Sequence, residues 1–397
     1  MAVSARPDEG LGVYLHWPFC EAVCPYCDFN VRVARNIDQG AWAHGFRRVI
    51  ERQASDWDGP RPPVASIYFG GGTPSLMAPA LVAAIIDSIG RVFRLAPDCE
   101  VTLEANPTSA ERARFVDFRA AGINRLSLGV QALEDAALRF LGRWHDAAEA
   151  RAAIATAQKV FARSTFDLIY ARPGQSLTSW RRELASALPM AQTGGHVSLY
   201  QLSFEEGTPF GRAVAQGDIA PPDTDTQADF YLAAQEACEH AGLPGYEISN
   251  HARPGEESRH NLVYWRYGHY LGIGPGAHGR VRRNVGRLAT VETADPGAWL
   301  KQASSTGEAI AEKTVLDRRE QAEELLFMGL RLTPGVARER FAAVTGVPLA
   351  SALRRDQCHD LITEGLVEID APGVRLTARG RPLLNTVYRT IVDRLNC

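Results

Sequence analysis

Three cysteines give this chain its most specific chemistry. Cys20, Cys24 and Cys27 stand in HWPFCEAVCPYCDF at the spacing CxxxCxxC, just after a short β-branched and aromatic run. Three thiolates from one short loop can cap three corners of a 4Fe-4S cubane, which leaves the fourth iron with an open position for an exchangeable ligand. The rival arrangement is a structural zinc, with His16 as the fourth ligand. A strand-borne His16 points sideways while the cysteine loop turns over the strand ends, which favours the cluster. The chain has seven cysteines, and three crowded between positions 20 and 27 pair awkwardly as disulfides. Cys99, Cys238, Cys358 and Cys397 are scattered and read as small buried hydrophobes without a role.

The elements that must position this loop show in the pattern from Gly12 to about His251, where short β-branched or aromatic runs alternate with longer helical stretches. Strands are predicted at 12–15, 65–69, 100–104, 125–128, 165–170 and 197–202. Helices are predicted at 79–92, 147–160 and 224–241, the last behind an Asp223 cap. This rhythm predicts an α/β fold, a partial or complete (β/α) TIM-like barrel over residues 1–250, with chemistry at the C-terminal ends of its strands. Residues 251–312 read as a linking segment rich in Gly, Tyr and His. Residues 313–397 read as a small winged-helix-like α+β domain, with helices at EELLFMGLRL, 336–345 and 349–364 and a hairpin turning at Pro372 and Gly373.

Other polar residues fall where a ligand over a barrel mouth could be touched. FGGGTPS ends the second strand, and free N–H groups there could hold a carboxylate while glycine lets a ligand approach. Glu104 ends the third strand, Gln131 follows the fourth, Arg143 stands at the next helix entry and Asp167 lies in the fifth. Each taken singly is as well read as an ordinary turn or a solvated charge. Together they surround the same end of the predicted barrel as the cysteines. An open iron there could chelate the amino and carboxylate groups of S-adenosyl-L-methionine, and an electron from the cluster could cleave its carbon–sulfur bond.

YLHWPFCEAVCPYCDFN, FGGGTPS, EVTLEANP, RLSLGVQ, DLIYARPGQ, HVSLYQLSFEEGTPF and HNLVYW, in that order and over nearly the whole chain, resemble the radical-SAM proteins related to oxygen-independent coproporphyrinogen III oxidase. The resemblance implies a cluster on Cys20, Cys24 and Cys27 and S-adenosyl-L-methionine contacts at Gly71, Gly72, Thr73, Glu104, Gln131, Arg143 and Asp167, with Tyr14 and Tyr26 at further contact positions. The oxidase branch carries a fourth cysteine two places after the third, where this chain has Phe29, and a longer segment before the cluster loop than the 19 residues here. CPYCDFN and HNLVYW instead resemble the branch of heme chaperones. That implies heme as a further ligand, contacted by His260 with Tyr264 and Trp265 beside it, since an imidazole nitrogen is a common axial ligand. His260 and Asn261 could equally tie the long loop to the barrel. The implied partners are heme and heme-acceptor proteins, including those of the respiratory chain, with membrane contact only through an acceptor and a monomer or homodimer as the assembly. The alternative is a tetrapyrrole decarboxylase of the oxidase type, and whether the chain is an enzyme stays open.

Composition sets bounds on these readings. With 397 residues, 45% hydrophobic and 22% charged, the chain can bury one large core and one small one. A formal net charge of −3 gives no general attraction to nucleic acid or anionic lipid. In the C-terminal region Arg338, Arg340, Arg354, Arg355, Arg375, Arg379 and Arg381 interleave with Glu339, Asp356, Asp360, Glu364, Glu368 and Asp370, so no nucleic-acid partner is expected. No apolar run of about 18 residues is present and the opening residues lack a leader's apolar stretch, so a cytoplasmic location is expected.

Overall fold

The computed structural model describes residues 10–396. The opening residues read for a leader and Cys397 lie outside the described residues. One 11-stranded sheet organises the larger part of the chain. Its strands are β1 (Leu11–Trp17), β2 (Val64–Gly71), β3 (Leu95–Ala105), β4 (Arg125–Gln131), β5 (Arg163–Tyr170), β6 (His196–Gln201), β7 (Asn250–Ala252), β8 (His269–Ile273), β9 (His278–Arg283), β10 (Gly286–Glu292) and β11 (Ile310–Leu316). Their order is β11-β10-β9-β8-β1-β2-β3-β4-β5-β6-β7. From β8 to β6 neighbouring strands run parallel, while β7 and β9–β11 are antiparallel additions at the two edges. The sheet ends on β7 and β11, so the barrel is partial.

All six predicted barrel strands form, and the local sequence explains the helices between them. The helix Pro79–Val92 starts with proline at its first position, where the missing N–H costs no bond. Ala147–Val160 opens with a capping box between Asp146 and Glu149. Thr224–His240 is capped by the Asp223 carboxylate, which accepts from the Thr226 N–H at 2.7 Å. β1 is buried on both faces because β8 and β2 flank it and helices cover it.

The stretch expected as a linking segment takes a different form. Residues 259–265 make a helix, and β8 to β11 continue the main sheet, with Gly12 opposite Tyr270. These strands escape a periodicity reading because glycines interrupt them. A Cβ on Gly272 would stand 2.1 Å from the His278 carbonyl oxygen, so the backbones of β8 and β9 need that gap.

Residues from 318 onward form a second, smaller core around Leu325, Leu326, Phe341, Val374 and Ile391. A three-stranded antiparallel sheet in the order 336–337, 373–376, 367–369 packs with helices 318–329, 338–345 and 384–393, an antiparallel α+β unit. The single helix expected at 349–364 is broken into three short pieces, because Leu353 turns to extended backbone and buries its side chain. Several arginines of this region are ion-paired, among them Arg354 with Asp356, Arg375 with Asp370 and Glu368, and Arg394 with Asp360. Among the described residues no helix is long and apolar enough to cross a membrane.

Candidate functional site

The C-terminal ends of β1 to β6 open on one cavity of about 410 Å³. Cys20, Cys24 and Cys27 all line it, together with Tyr26, Gly71, Gly72, Thr73, Glu104, Gln131, Arg143 and Asp167. The fold therefore gathers eleven of the thirteen site residues expected from sequence at one place.

The glycine turn holds the cysteine loop. Gly72 N–H donates to the Trp17 carbonyl at 2.7 Å and Thr73 N–H to the Phe19 carbonyl at 2.8 Å. Gly71 N–H donates to Glu104 Oε2 at 3.3 Å. The expectation of free N–H groups for a ligand carboxylate is thus corrected: all three amides are engaged within the protein. The glycines serve close approach instead. Gly71 has φ +111°, and a Cβ on Gly72 would lie 2.6 Å from the Phe19 carbonyl oxygen and 3.0 Å from Cys20 Sγ. On the other side of the loop, Phe210 N–H donates to the Pro25 carbonyl at 3.0 Å, and the Tyr26 ring lies 6.5 Å from that of Phe210.

Burial pushes the Cys20 thiol up, opposed by the Thr73 hydroxyl, and pushes the Cys27 thiol up to about 11. Arg143 reaches the same loop, with NH1 donating to Cys24 Sγ at 3.3 Å and NH2 to the Asn106 side-chain oxygen at 2.5 Å and the Gly129 carbonyl at 2.9 Å. Asn106 is a hub the sequence reading passed over. Its amide also donates to Glu111 Oε1 at 3.1 Å and to Thr73 Oγ1 at 3.4 Å, which ties the β3 end to the glycine turn. Its place in LEANP, two residues after Glu104, was the available signal.

The cavity floor is acidic. Burial raises the Glu104 carboxyl to about 7, against the lowering effect of the Tyr68 hydroxyl, which donates to Glu104 Oε1 at 2.7 Å. Burial likewise raises Asp167 to about 6, opposed by Ser198, Arg125 and Arg143. Gln131 adopts φ +71° at the end of β4, and its Oε1 is buried without a hydrogen-bond partner, as is Nε of Arg143. Unpartnered buried polar atoms in a cavity lining fit a polar ligand that completes them.

No three His, Cys, Asp or Glu side chains among the described residues converge tightly enough for a single metal ion. His16 is spoken for: Nδ1 is hydrogen-bonded to the Tyr14 hydroxyl at 3.0 Å and Nε2 to the Asn30 carbonyl at 2.9 Å. A structural zinc needs four ligands converging on one point, whereas a cubane takes its thiolates at separate corners.

Two expected residues lie elsewhere. Tyr14 packs beneath the cavity on Tyr68, with ring centroids 6.3 Å apart. His260 is 1% exposed inside the barrel, with Nδ1 hydrogen-bonded to Ser66 Oγ at 2.9 Å and Nε2 to the Tyr264 hydroxyl at 2.7 Å. Neither ring nitrogen is free for an iron in this arrangement, and the reading in which His260 ties its loop to the barrel describes it. The mouth of the cavity instead presents apolar side chains the sequence did not single out: Val23, Trp144, 70% exposed, and Tyr200, beside Phe29, 62% exposed. Periodicity cannot flag them, since each sits in a loop or at a strand end.

Residues 14–185 match the radical SAM superfamily, and residues 316–383 match the HemN C-terminal domain. The mitochondrial radical S-adenosyl methionine domain-containing protein 1 of Bos taurus is 39% identical, over 98% of this chain and 89% of its own length. The heme chaperone HemW of Mycobacterium tuberculosis is 36% identical, over 98% of this chain and 97% of its own. Among solved structures, coproporphyrinogen III oxidase (HemN) from Escherichia coli, a radical SAM enzyme, superposes with a TM-score of 0.79 at 22% identity, covering 98% of this chain and 91% of that one.

Proposed function

We propose that this chain, which belongs to the radical SAM superfamily and within it to the family of the HemW proteins, is a heme chaperone that takes up heme and passes it to acceptor proteins. In this reading Cys20, Cys24 and Cys27 would hold a 4Fe-4S cluster, and S-adenosyl-L-methionine would bind beside it in the cavity they line. The cluster supplies an electron source beside an exchangeable coordination site. The relatives named heme chaperone, aligned over nearly their whole lengths, support the assignment.

The carrying observation is the shared wall of three thiols with Phe29 in the position of the oxidase branch's further cysteine. Arg143 places a cation against Cys24 Sγ, where a thiolate-bound cluster concentrates negative charge. Glu104, Gln131 and Asp167 offer acceptors to the amino group and ribose hydroxyls of S-adenosyl-L-methionine, the two carboxylates also offer negative charge to its sulfonium, and Gly71 and Gly72 let the cysteine loop close against the turn that would face its methionine end. Tyr26 steadies the loop against Phe210. Val23, Phe29, Trp144 and Tyr200 form an apolar rim that suits the face of a planar tetrapyrrole, a better place for heme than the closed surroundings of His260. A cytoplasmic location and acceptors of the respiratory-chain type belong to the same proposal.

Anaerobic reconstitution followed by hemin titration tests it. The expected result is a Soret band that saturates near one heme per chain, transfer of that heme to an apo-acceptor, and no decarboxylation of coproporphyrinogen. Decarboxylated product in the absence of stable heme binding would replace this reading with the oxidase alternative.

A further inference from the structure

Below the cavity an aromatic cluster links the HNLVYW segment to Glu104. Tyr68 on β2 donates its hydroxyl to Glu104 Oε1 at 2.7 Å, and its ring stacks on His260 with centroids 5.0 Å apart and planes 24° from parallel. Tyr14 abuts the same ring at 6.3 Å. His260 is fixed on three sides: by Ser66, two residues before Tyr68 on the same face of β2, by Tyr264 one helical turn away, and through its backbone N–H by Glu100 Oε1 at 3.2 Å. Burial holds the imidazole down to about 3, so the ring meets Tyr68 as a neutral surface throughout the ordinary pH range.

We propose that His260 is a positioning residue for the Glu104 carboxylate: by stacking on Tyr68 it fixes the phenol that donates to Glu104, and so sets how tightly the cavity holds S-adenosyl-L-methionine. The inference rests on the reading of Glu104 as a contact of that ligand. A phenol ring has two soft torsions, and a hydrogen bond to a carboxylate is strong only when the donor is held in line. Ser66, Tyr264 and Glu100 supply that restraint through the imidazole. No other hydroxyl donates to Glu104 among the described residues, so its second oxygen depends on the Gly71 amide alone. Asp167 raises the carboxyl and Arg125, which also faces His260, lowers it from the neighbouring strands.

Equilibrium binding of S-adenosyl-L-methionine to the anaerobically reconstituted full chain, from pH 5.5 to 8.5, tests the linkage in parent, E104A, Y68F, H260A and the Y68F/H260A pair. The expected result is an affinity about fivefold weaker in Y68F and in H260A, with the double variant no weaker than Y68F, as for residues that act through one bond. The pH midpoint of binding moves upward in both single variants, because Glu104 loses the donor that favours its ionised form. A merely structural loss would lower affinity without moving the midpoint. Since H260A empties a packed site, Y264F, which deletes one hydroxyl, is measured beside it and is expected to shift the midpoint the same way by a smaller amount. Hemin binding, followed by the Soret band, is expected to persist in H260A. Parent-like affinity and midpoint in H260A and Y264F, additive losses in the double variant, or a lost Soret band with unchanged affinity each overturn the proposal. Unchanged affinity in E104A would instead remove Glu104 as a ligand contact, and the linkage with it.

Discussion

Burial makes the ionised form of Glu104 costly. Its folded-state carboxyl is raised from 4.5 to about 7, so the native chain binds that proton more tightly than the unfolded chain does. The resulting stabilisation is full below about pH 4.5 and is lost as pH rises through about 7. Asp167 and Glu292 are raised by burial and act in the same direction, while His251 and His260, both lowered to about 3, act oppositely below their ordinary range. The clean readout is therefore a difference: urea denaturation of E104Q is expected to show a shallower fall in stability between pH 5 and 8 than the parent. Equal slopes would mean that Glu104 titrates normally. Gly72 answers to sterics rather than charge. A Cβ there meets the Phe19 carbonyl and Cys20 Sγ, so G72A is expected to reduce iron incorporation to about half or less while leaving the core, and the thermal midpoint of the apo-chain, nearly unchanged. Full iron loading in G72A would show that the loop has slack.

The parallel strands place their chemistry by a common rule, since each delivers its last residues to the same mouth. The edge strands β8 to β11 have another task. Arg280 on β9 clasps Glu324 of the helix 318–329, with NH2 at 2.8 Å and Nε at 3.1 Å, and the Tyr267 hydroxyl donates to the other oxygen at 2.6 Å. This charge-assisted cluster joins the barrel to the small C-terminal unit, with Tyr267 also contributing to the smaller core. E324Q keeps the shape and removes the charge. It is expected to cost about 1–2 kcal/mol in denaturant unfolding and to speed proteolytic release of the C-terminal region. Parent-like proteolysis would mean that apolar packing alone holds the two units together.

At the scale of the molecule, the two cores and the cavity are separable. The three thiols stand in a loop over the strand ends, whereas the large core runs through Trp17, Phe46, Trp180 and Trp299. Replacing Cys20, Cys24 and Cys27 together by alanine is therefore expected to abolish bound iron and sulfide while moving the thermal midpoint of the apo-chain by no more than about 4 °C. Iron equal to that of the parent would remove the cluster assignment. A large drop in the midpoint would place the cysteine loop in the folding core.

The βα alternation, the CxxxCxxC loop and the strand-end polar residues were all legible, because each depends on local spacing: period and capping fix the elements, and the barrel rule fixes which strand ends meet. The resemblance supplied the ligands. What only the tertiary structure decided depends on contacts far apart in sequence. β8 pairs with β1 across more than 250 residues, and its glycines read as loop until the opposing backbone is present. The glycine-turn amides, free by local reasoning, are consumed by Trp17, Phe19 and Glu104. His260 is closed in by Ser66 and Tyr264 and stacked on Tyr68, a burial that no spacing of HNLVYW encodes, because two of those partners come from β2, far away in the chain.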